Sequence, residues 1–315
     1  MTEQGGAQPR VQWVRVEEGD QGQRIDNYLL RCLKGVPRSH IYRMLRKGEV
    51  RVNKGRVDAD YRLREGDSVR LPPVRVARPR ASPGPPSSVL ERLQEAIVFE
   101  DTRVLALNKP AGLAVHGGSG IEHGVIEALR LLRPKEQGLE LVHRLDRDTS
   151  GCLLLAKRRS ALRVLHQLFR DGGVDKLYLA LLAGRWSRDK ADVNLALRKS
   201  TLRSGQRVVR PDEGGKPALT RFRVLRLFGQ ATLVEARLET GRTHQIRVHA
   251  ASLGTPILGD EKYGDPEANR WARNLGLRRL FLHARSLALT WPREDRPLRI
   301  EAPLNSGLEE FLKAL

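Results

Sequence analysis

The sequence predicts an α+β protein in two parts, and three observations carry that prediction. Short apolar runs of strand character lie among helical patterns without the regular alternation that a parallel α/β sheet requires. A stretch holding six prolines, residues 72–88, interrupts both kinds of pattern. At 315 residues the chain exceeds an average domain, and 40% hydrophobic with 30% charged residues suits packed cores and not disorder.

Residues 1–23 read as an N-terminal extension. From 24 to 71 the chain reads as one small unit. Ile25, Tyr28, Leu29, Cys32 and Leu33 recur at helical spacing. Pro37 and Ser39 announce a second helix, His40 to Lys47, with Ser39 as its N-cap and Gly48 near its end. Two strands follow, Val50–Val52 and Ser68–Leu71, and Asn53-Lys54-Gly55 after the first is good hairpin-turn chemistry. Arg38, Arg43, Arg46, Lys47 and Arg51 interleave with apolar positions, which gives the unit a basic face suited to phosphates. Residues 72–88 are then a linker, stiffened by proline and kept extended by charge.

The second domain, 89–315, carries strand-like runs at 104–108, 151–157, 177–183, 231–238 and 243–248. Helical patterns fall between them at 125–132 and 161–170.

A formal net charge of +20 points to a polyanionic partner, nucleic acid first. The basic residues are spread along the whole chain, which argues against a membrane-surface helix. No apolar run approaches the roughly 20 residues that span a bilayer, and the N-terminus has no secretory pattern, so a cytoplasmic protein is expected. Cys32 and Cys152 form no CxxC, and no HExxH, P-loop or dinucleotide fingerprint is present. Neither a metal nor a cofactor is expected.

The densest chemistry lies in His143-Arg144-Leu145-Asp146-Arg147-Asp148-Thr149-Ser150-Gly151, a polar cluster between two apolar runs. Such runs bound a turn leaving the core, and turns on a rigid scaffold are where chemistry tends to be placed. In extended backbone Arg144 and Asp146 share a side and Leu145 faces the other way. Lys176, Tyr178 and Ala180 share one face of an apolar strand, where a tyrosine can stack on a base. Read as a strand, Gly241–His249 places Arg242, His244 and Ile246 on one side and Thr243, Gln245 and Arg247 on the other. Its two histidines make a poor metal site, with no carboxylate or cysteine at ligand spacing, and are expected to hydrogen-bond within the fold. Asn108–Gly118 reads as a strand ending in a Pro/Gly turn that shapes a cleft, and Arg279–Ala284 as packing at the cleft floor.

The string HRLDRDTSG closely resembles the signature of the RluA-type pseudouridine synthases, and the KxYxA and GRTHQIR patterns resemble two further motifs of that family. The first unit resembles an S4 RNA-binding domain. The resemblance implies a catalytic domain with a mixed, largely antiparallel sheet and a central cleft. It also implies isomerisation of uridine to pseudouridine in RNA, with Asp146, not Asp148, as the catalytic residue. Tyr178 would then pack on the target uracil, and Arg242 would pair with Asp146. Arg144 is expected to fill the space left by a flipped base or to hold the backbone. The likeness extends over nearly the whole chain to members acting on large-subunit (23S) ribosomal RNA, the expected partner of a monomeric enzyme. A family member with transfer RNA or another ribosomal helix as its target, or a non-catalytic S4-type RNA-binding protein, are the alternatives. Cys152 departs from the family pattern, where a β-branched aliphatic is ordinary.

Overall fold

The structure, a computed structural model, describes residues 10–17, 20–33, 35–74, 84–117, 123–136, 138–187, 189–201 and 207–315. The chain divides into two compact units, 1–83 and 84–315. Most of the proline-rich stretch expected as a linker, 75–83, lies outside the described residues.

The first unit runs β1 (Gln12–Arg15), α1 (Ile25–Cys32), α2 (Arg38–Lys47), β2 (Arg51–Val52) and β3 (Ser68–Leu71). Its antiparallel sheet has the order β1-β3-β2. Strand β1 falls in the stretch read as an extension. At four residues, with none fully buried, it is too short to show an alternating pattern. Helix α2 starts earlier than expected: Pro37 precedes it and no side chain caps it, so Ser39 lies inside the first turn. The fixed φ of proline sets that entry, and the Pro37 carbonyl accepts from the amides of His40 and Ile41. Gly48 ends α2 in the left-handed region at φ +67°. Asn53 and Lys54, at φ +50° and +67°, form a tight turn in which Val52 and Gly55 exchange both backbone hydrogen bonds. Ile25, Tyr28, Leu29, Ile41, Met44, Leu45 and Val69 close a core under the sheet.

The second unit continues with α3 (Ser87–Glu95), β4 (Ile97–Glu100), β5 (Val104–Lys109), α4 (Val125–Leu132), β6 (Glu140–Leu141), β7 (Ser150–Ala156), α5 (Arg159–Asp171) and β8 (Val174–Ala183). Next come β9 (Lys190–Asn194), β10 (Leu197–Thr201), β11 (Arg207–Pro211), β12 (Leu219–Leu227) and β13 (Ala231–Leu238). The chain closes with α6 (Gln245–Ser252), α7 (Pro266–Asn274), β14 (Leu282–Trp291), β15 (Arg296–Glu301) and α8 (Ser306–Lys313). A ten-stranded sheet orders as β4-β5-β7-β14-β8-β13-β12-β9, with β15 paired to β14 and β6 to β7. Strands β10 and β11 form a separate hairpin.

Among the described strands only β7 and β14 pair in parallel, through His283–Ser150 and Ala284–Gly151. Every residue of β7 is buried, as its unbroken SGCLLLA run suits a central strand. Gly151 makes the parallel contact possible. It sits at φ +109°, and a Cβ there would lie 2.2 Å from the Ala284 carbonyl oxygen. The mixed, largely antiparallel sheet expected from the sequence is therefore present. The run 243–248, expected as a strand, is instead a turn at 243–244 that leads into the first residues of α6.

Candidate active site

The segment between β6 and β7 is held from below and from the side. Leu145 and Thr149 are buried, and the Thr149 amide donates to the Asp146 carbonyl at 3.3 Å. Lys109, at the end of β5, is fully buried and donates from Nζ to the carbonyls of Pro110, Leu113 and Arg147 at 2.8, 2.9 and 3.0 Å. Burial, with Arg279 adding to it, pushes the Lys109 ammonium down to about 7. Its three carbonyl acceptors match the three N–H donors of the charged form. Gly112 N also donates to the Arg147 carbonyl, at 2.9 Å. The Asn108–Gly118 stretch thus fastens the loop that carries Asp146.

That loop separates its two aspartates. Asp148 is half exposed and pairs with its neighbour Arg147 at 3.0 Å. Asp146 is 21% exposed, and its Oδ2 lies 3.6 Å from Arg247 Nη1 and 3.8 Å from His244 Nε2. Arg144 is exposed and lines the same cleft, while Leu145 faces the core.

Helix α6 supplies the groups opposite Asp146. His244 and Arg247 stand three residues apart at its start, so they share a helix face. Gln245 fixes the entry. Its Oε1 accepts from Thr240 Oγ1 and Arg242 N, and its Nε2 donates to Leu219 O and Thr220 Oγ1. His244 is forced to φ +54°, a region costly for a residue with a side chain and typical of functional positions. Its Nδ1 bonds the Tyr263 hydroxyl at 2.7 Å, which also accepts from Val209 N at 2.9 Å. Nε2 of the same ring points toward Asp146. Burial holds His244 below its usual value, although Asp146 pulls the other way.

Arg247 is gripped by Asp260 through two 2.7 Å bonds, Nε to Oδ2 and Nη2 to Oδ1, which leaves Nη1 for Asp146. The carboxylate of Asp260 also accepts from Lys262 N and Tyr263 N. Burial works against that charge, yet the Arg247 bonds hold Asp260 below the ordinary carboxylate range. The Arg247 guanidinium lies 5.0 Å from the Tyr263 ring centroid.

Tyr178, buried on β8, completes a small pocket with Asp146, His244, Arg247, Leu238 and Leu282. Its cross-strand neighbours are alanines on both sides, Ala236 of β13 and Ala284 of β14, which leaves space over the ring. Burial raises the phenol, so it stays protonated near neutrality. The pocket adjoins a cleft of about 1030 Å³ lined by Arg144, Arg147, Arg207, Lys262, Arg273 and Arg279 among others. A carboxylate beside an aromatic floor, in a cation-lined cleft, suits a base delivered by a polyanion.

Residues 103–252 match the RNA pseudouridylate synthase family, and residues 23–69 match the S4 domain. The ribosomal large subunit pseudouridine synthase C of Pasteurella multocida (strain Pm70) is 53% identical over 306 residues, covering 97% of this chain and 94% of that protein. The protein of the same name from Escherichia coli (strain K12) is 52% identical over 310 residues, covering 98% and 97%. This chain belongs to the RNA pseudouridylate synthase family. A solved structure of the human RNA pseudouridylate synthase domain containing 4 superposes with a TM-score of 0.60 at 28% identity, covering 72% of this chain and 95% of that one. As a pseudouridine synthase the protein isomerises uridine in RNA to pseudouridine.

The structure places Arg242 differently from the sequence expectation. Arg242 is exposed and its Nε donates to the Pro217 carbonyl at 3.1 Å, so the arginine facing Asp146 is Arg247. Of the two histidines, His249 is buried and bonded to Thr220 Oγ1 and Leu195 O, as expected, while His244 reaches Asp146. Cys152 is buried, with Sγ 3.4 Å from Arg285 O and 3.6 Å from Ile300 O. In the S4 unit Arg38, Arg43, Arg46, Lys47 and Arg51 are all exposed. A group the sequence reading passed over organises this face. Asp26, 1% exposed, accepts from Arg24 Nε and Nη2 and from the Tyr42 hydroxyl, and lies 3.8 Å from Arg38. An Asp in the first turn after Arg24 was the available signal.

Proposed function

We propose that the protein modifies uridines of large-subunit (23S) ribosomal RNA, with Asp146 as the catalytic residue. The curated relatives similar over nearly the full chain carry large-subunit ribosomal names, and the S4 match and the net charge of +20 suit a large folded RNA. The observation that carries the catalytic reading is the Asp146 carboxylate, oriented by Arg247 and His244 in a pocket floored by Tyr178.

The reaction breaks the N1–C1′ bond and forms C5–C1′. One proton leaves C5 and one is gained at N1, so the composition is unchanged. Glycoside hydrolysis takes two carboxylates because a water must be activated. Here the base stays in the pocket and no water enters the product, so one carboxylate suffices. Asp146 acts on the ribose, while Tyr178 holds the detached uracil as it turns. The target uridine is flipped out of its helix, and exposed Arg144 occupies the space it leaves or grips the backbone. Arg242, outside the Asp146 pair, serves the RNA path beside the pocket.

On this reading the enzyme works in the cytoplasm as a monomer without a cofactor, since one chain supplies all the groups named. Among the described residues no helix is long and apolar enough to cross a membrane. Carbodiimide mapping by primer extension in a strain lacking the gene tests the target. Loss of pseudouridine stops in 23S RNA, restored by wild-type protein, is expected. An unchanged 23S map with stops lost from transfer RNA would replace the ribosomal target.

A further inference from the structure

Arg279 and His283 lie in a segment whose sequence suggests only apolar packing, yet they join a directed hydrogen-bond chain beside the Asp146 loop. His283 Nε2 faces the Ala302 carbonyl at 3.0 Å, and a carbonyl can only accept, so Nε2 carries the proton. Burial pushes this imidazole down to about 4, so it is neutral. Its Nδ1 must then accept, and it does so from Ser150 Oγ at 2.9 Å. With its proton committed to His283, Ser150 Oγ accepts from Arg279 Nη2 at 2.7 Å. Arg279 Nε donates to the Leu280 carbonyl at 3.2 Å, and Nη2 has a longer contact of 3.5 Å with Leu282 O.

Every one of these partners is neutral. No carboxylate lies within ion-pair distance of Arg279 among the described residues, and nearby Asp148 is engaged with Arg147. A desolvated guanidinium is costly unless an anion completes its shell. Burial lowers Arg279 below the usual arginine value, with Asp148 opposing only from a distance. Its Nη1 has no protein partner among the described residues, and the side chain lines the catalytic cleft with Arg147 and Asp148. Neighbouring Lys109 cannot do the same work, because its three N–H groups are spent on carbonyls.

We propose that Arg279 is a phosphate ligand, aimed by Ser150 and His283, that clamps one backbone phosphodiester flanking the target uridine. The shared parallel contact of β7 and β14 fixes Ser150 to His283, so the clamp and the Asp146 loop are carried by one rigid join. Arg279 would thus set the ribose against Asp146 without touching the reacting atoms. The proposal rests on the reading that a ribosomal RNA is the substrate.

The test uses the full chain and the shortest 23S transcript fragment in which wild-type enzyme forms pseudouridine. Failure of the wild type on every 23S fragment would sink the substrate reading before any variant is made. Single methylphosphonate linkages, which remove the charge, are placed in turn around the target. Wild type should lose about tenfold or more in affinity at one linkage, the scale of a charge-assisted hydrogen bond. Arg279→Gln should bind the unmodified fragment that much more weakly and show no further loss at that linkage. Its log–log salt slope should be shallower by about 0.7 to 0.9, the value of one phosphate contact. Ser150→Ala, which keeps the cation but loosens its aim, should raise KM with a smaller effect on kcat. Arg279→Lys serves if the Gln variant does not fold, and should recover part of the affinity while remaining sensitive to the same linkage. Equal losses in wild type and variant at every linkage, or a wild-type salt slope in Arg279→Gln, would overturn the assignment.

Discussion

Asp146 and Asp148 stand two positions apart and live in opposite surroundings. One faces Arg247 and His244 in a pocket, and the other is half exposed against Arg147. Replacement of Asp148 by Asn should therefore leave turnover within a few-fold of wild type, read from single-turnover rates. The two arginines of the GRTHQIR stretch divide in the same way. Arg247→Lys removes the two-armed geometry that serves Asp260 and Asp146 together, and kcat should fall by about 100-fold or more, since misplaced catalytic groups cost that much. Arg242→Ala should mainly raise KM. Equal kcat losses in the two variants would return Arg242 to the Asp146 pair. Tyr178→Phe should keep base stacking. With the buried phenol raised and hence protonated, its ionisation should leave no step in a wild-type pH profile between 6 and about 9. A slowed final step in Tyr178→Phe, with initial bond cleavage intact, would assign the hydroxyl to proton transfer from C5.

Helix α6 explains both what the sequence concealed and how the site works. Ile246, Val248 and Ala250 alternate with Gln245, Arg247 and His249, which looks like a half-buried strand. All six are buried in the structure, so no polar face exists to reveal a helical period. The polar members are tolerated inside because each is satisfied, Gln245 by four bonds, Arg247 by Asp260 and His249 by Thr220 and Leu195 O. Helical spacing then turns His244 and Arg247 to one side, whereas a strand would have grouped Arg242 with His244. By contrast β13 and α4 have the bounds that their patterns predict, since each has an ordinary buried stripe and clear flanking breaks. Asp260 gives the element its pH signature. Its carboxyl is lower in the folded than in the unfolded protein, so its stabilisation is fully present above about pH 4 and lost as pH falls through the folded value. Asp260→Asn should lower unfolding stability at pH 7 by about 3–5 kcal/mol, because buried Arg247 loses the charge of its two-bonded partner and keeps only the longer contact with Asp146. Urea titrations should show that gap narrowing toward pH 3. A gap that stays constant with pH would remove Asp260 from the account of acid stability.

At the scale of the whole molecule, the proline-rich stretch announced a division, and the two cores contain no common residue. The edges were harder to read: β1 was too short to register, and α3 begins at Ser87, within the expected linker, with Leu93 buried in the second core. A truncation should therefore begin at Gly84 and keep α3. Such a protein should fold and isomerise weakly, and should show a shallower salt dependence of RNA binding than the full chain as the basic S4 face is lost. Identical salt slopes would mean that Arg38, Arg43, Arg46, Lys47 and Arg51 make no phosphate contacts. The family motifs marked Asp146, the residue proposed as catalytic, and Tyr178, because they match as local strings. The Asp146–Arg247 contact was hidden, because it depends on the class of an element a hundred residues away. That contact serves the central claim, that a single carboxylate at position 146 performs the isomerisation. The most direct measurement is tritium release from RNA labelled at uracil C5, with wild type and Asp146→Asn compared under single-turnover conditions alongside RNA affinity. The account predicts release in step with pseudouridine for the wild type, and none for Asp146→Asn at nearly unchanged affinity. Release by Asp146→Asn at a rate near that of wild type would contradict it.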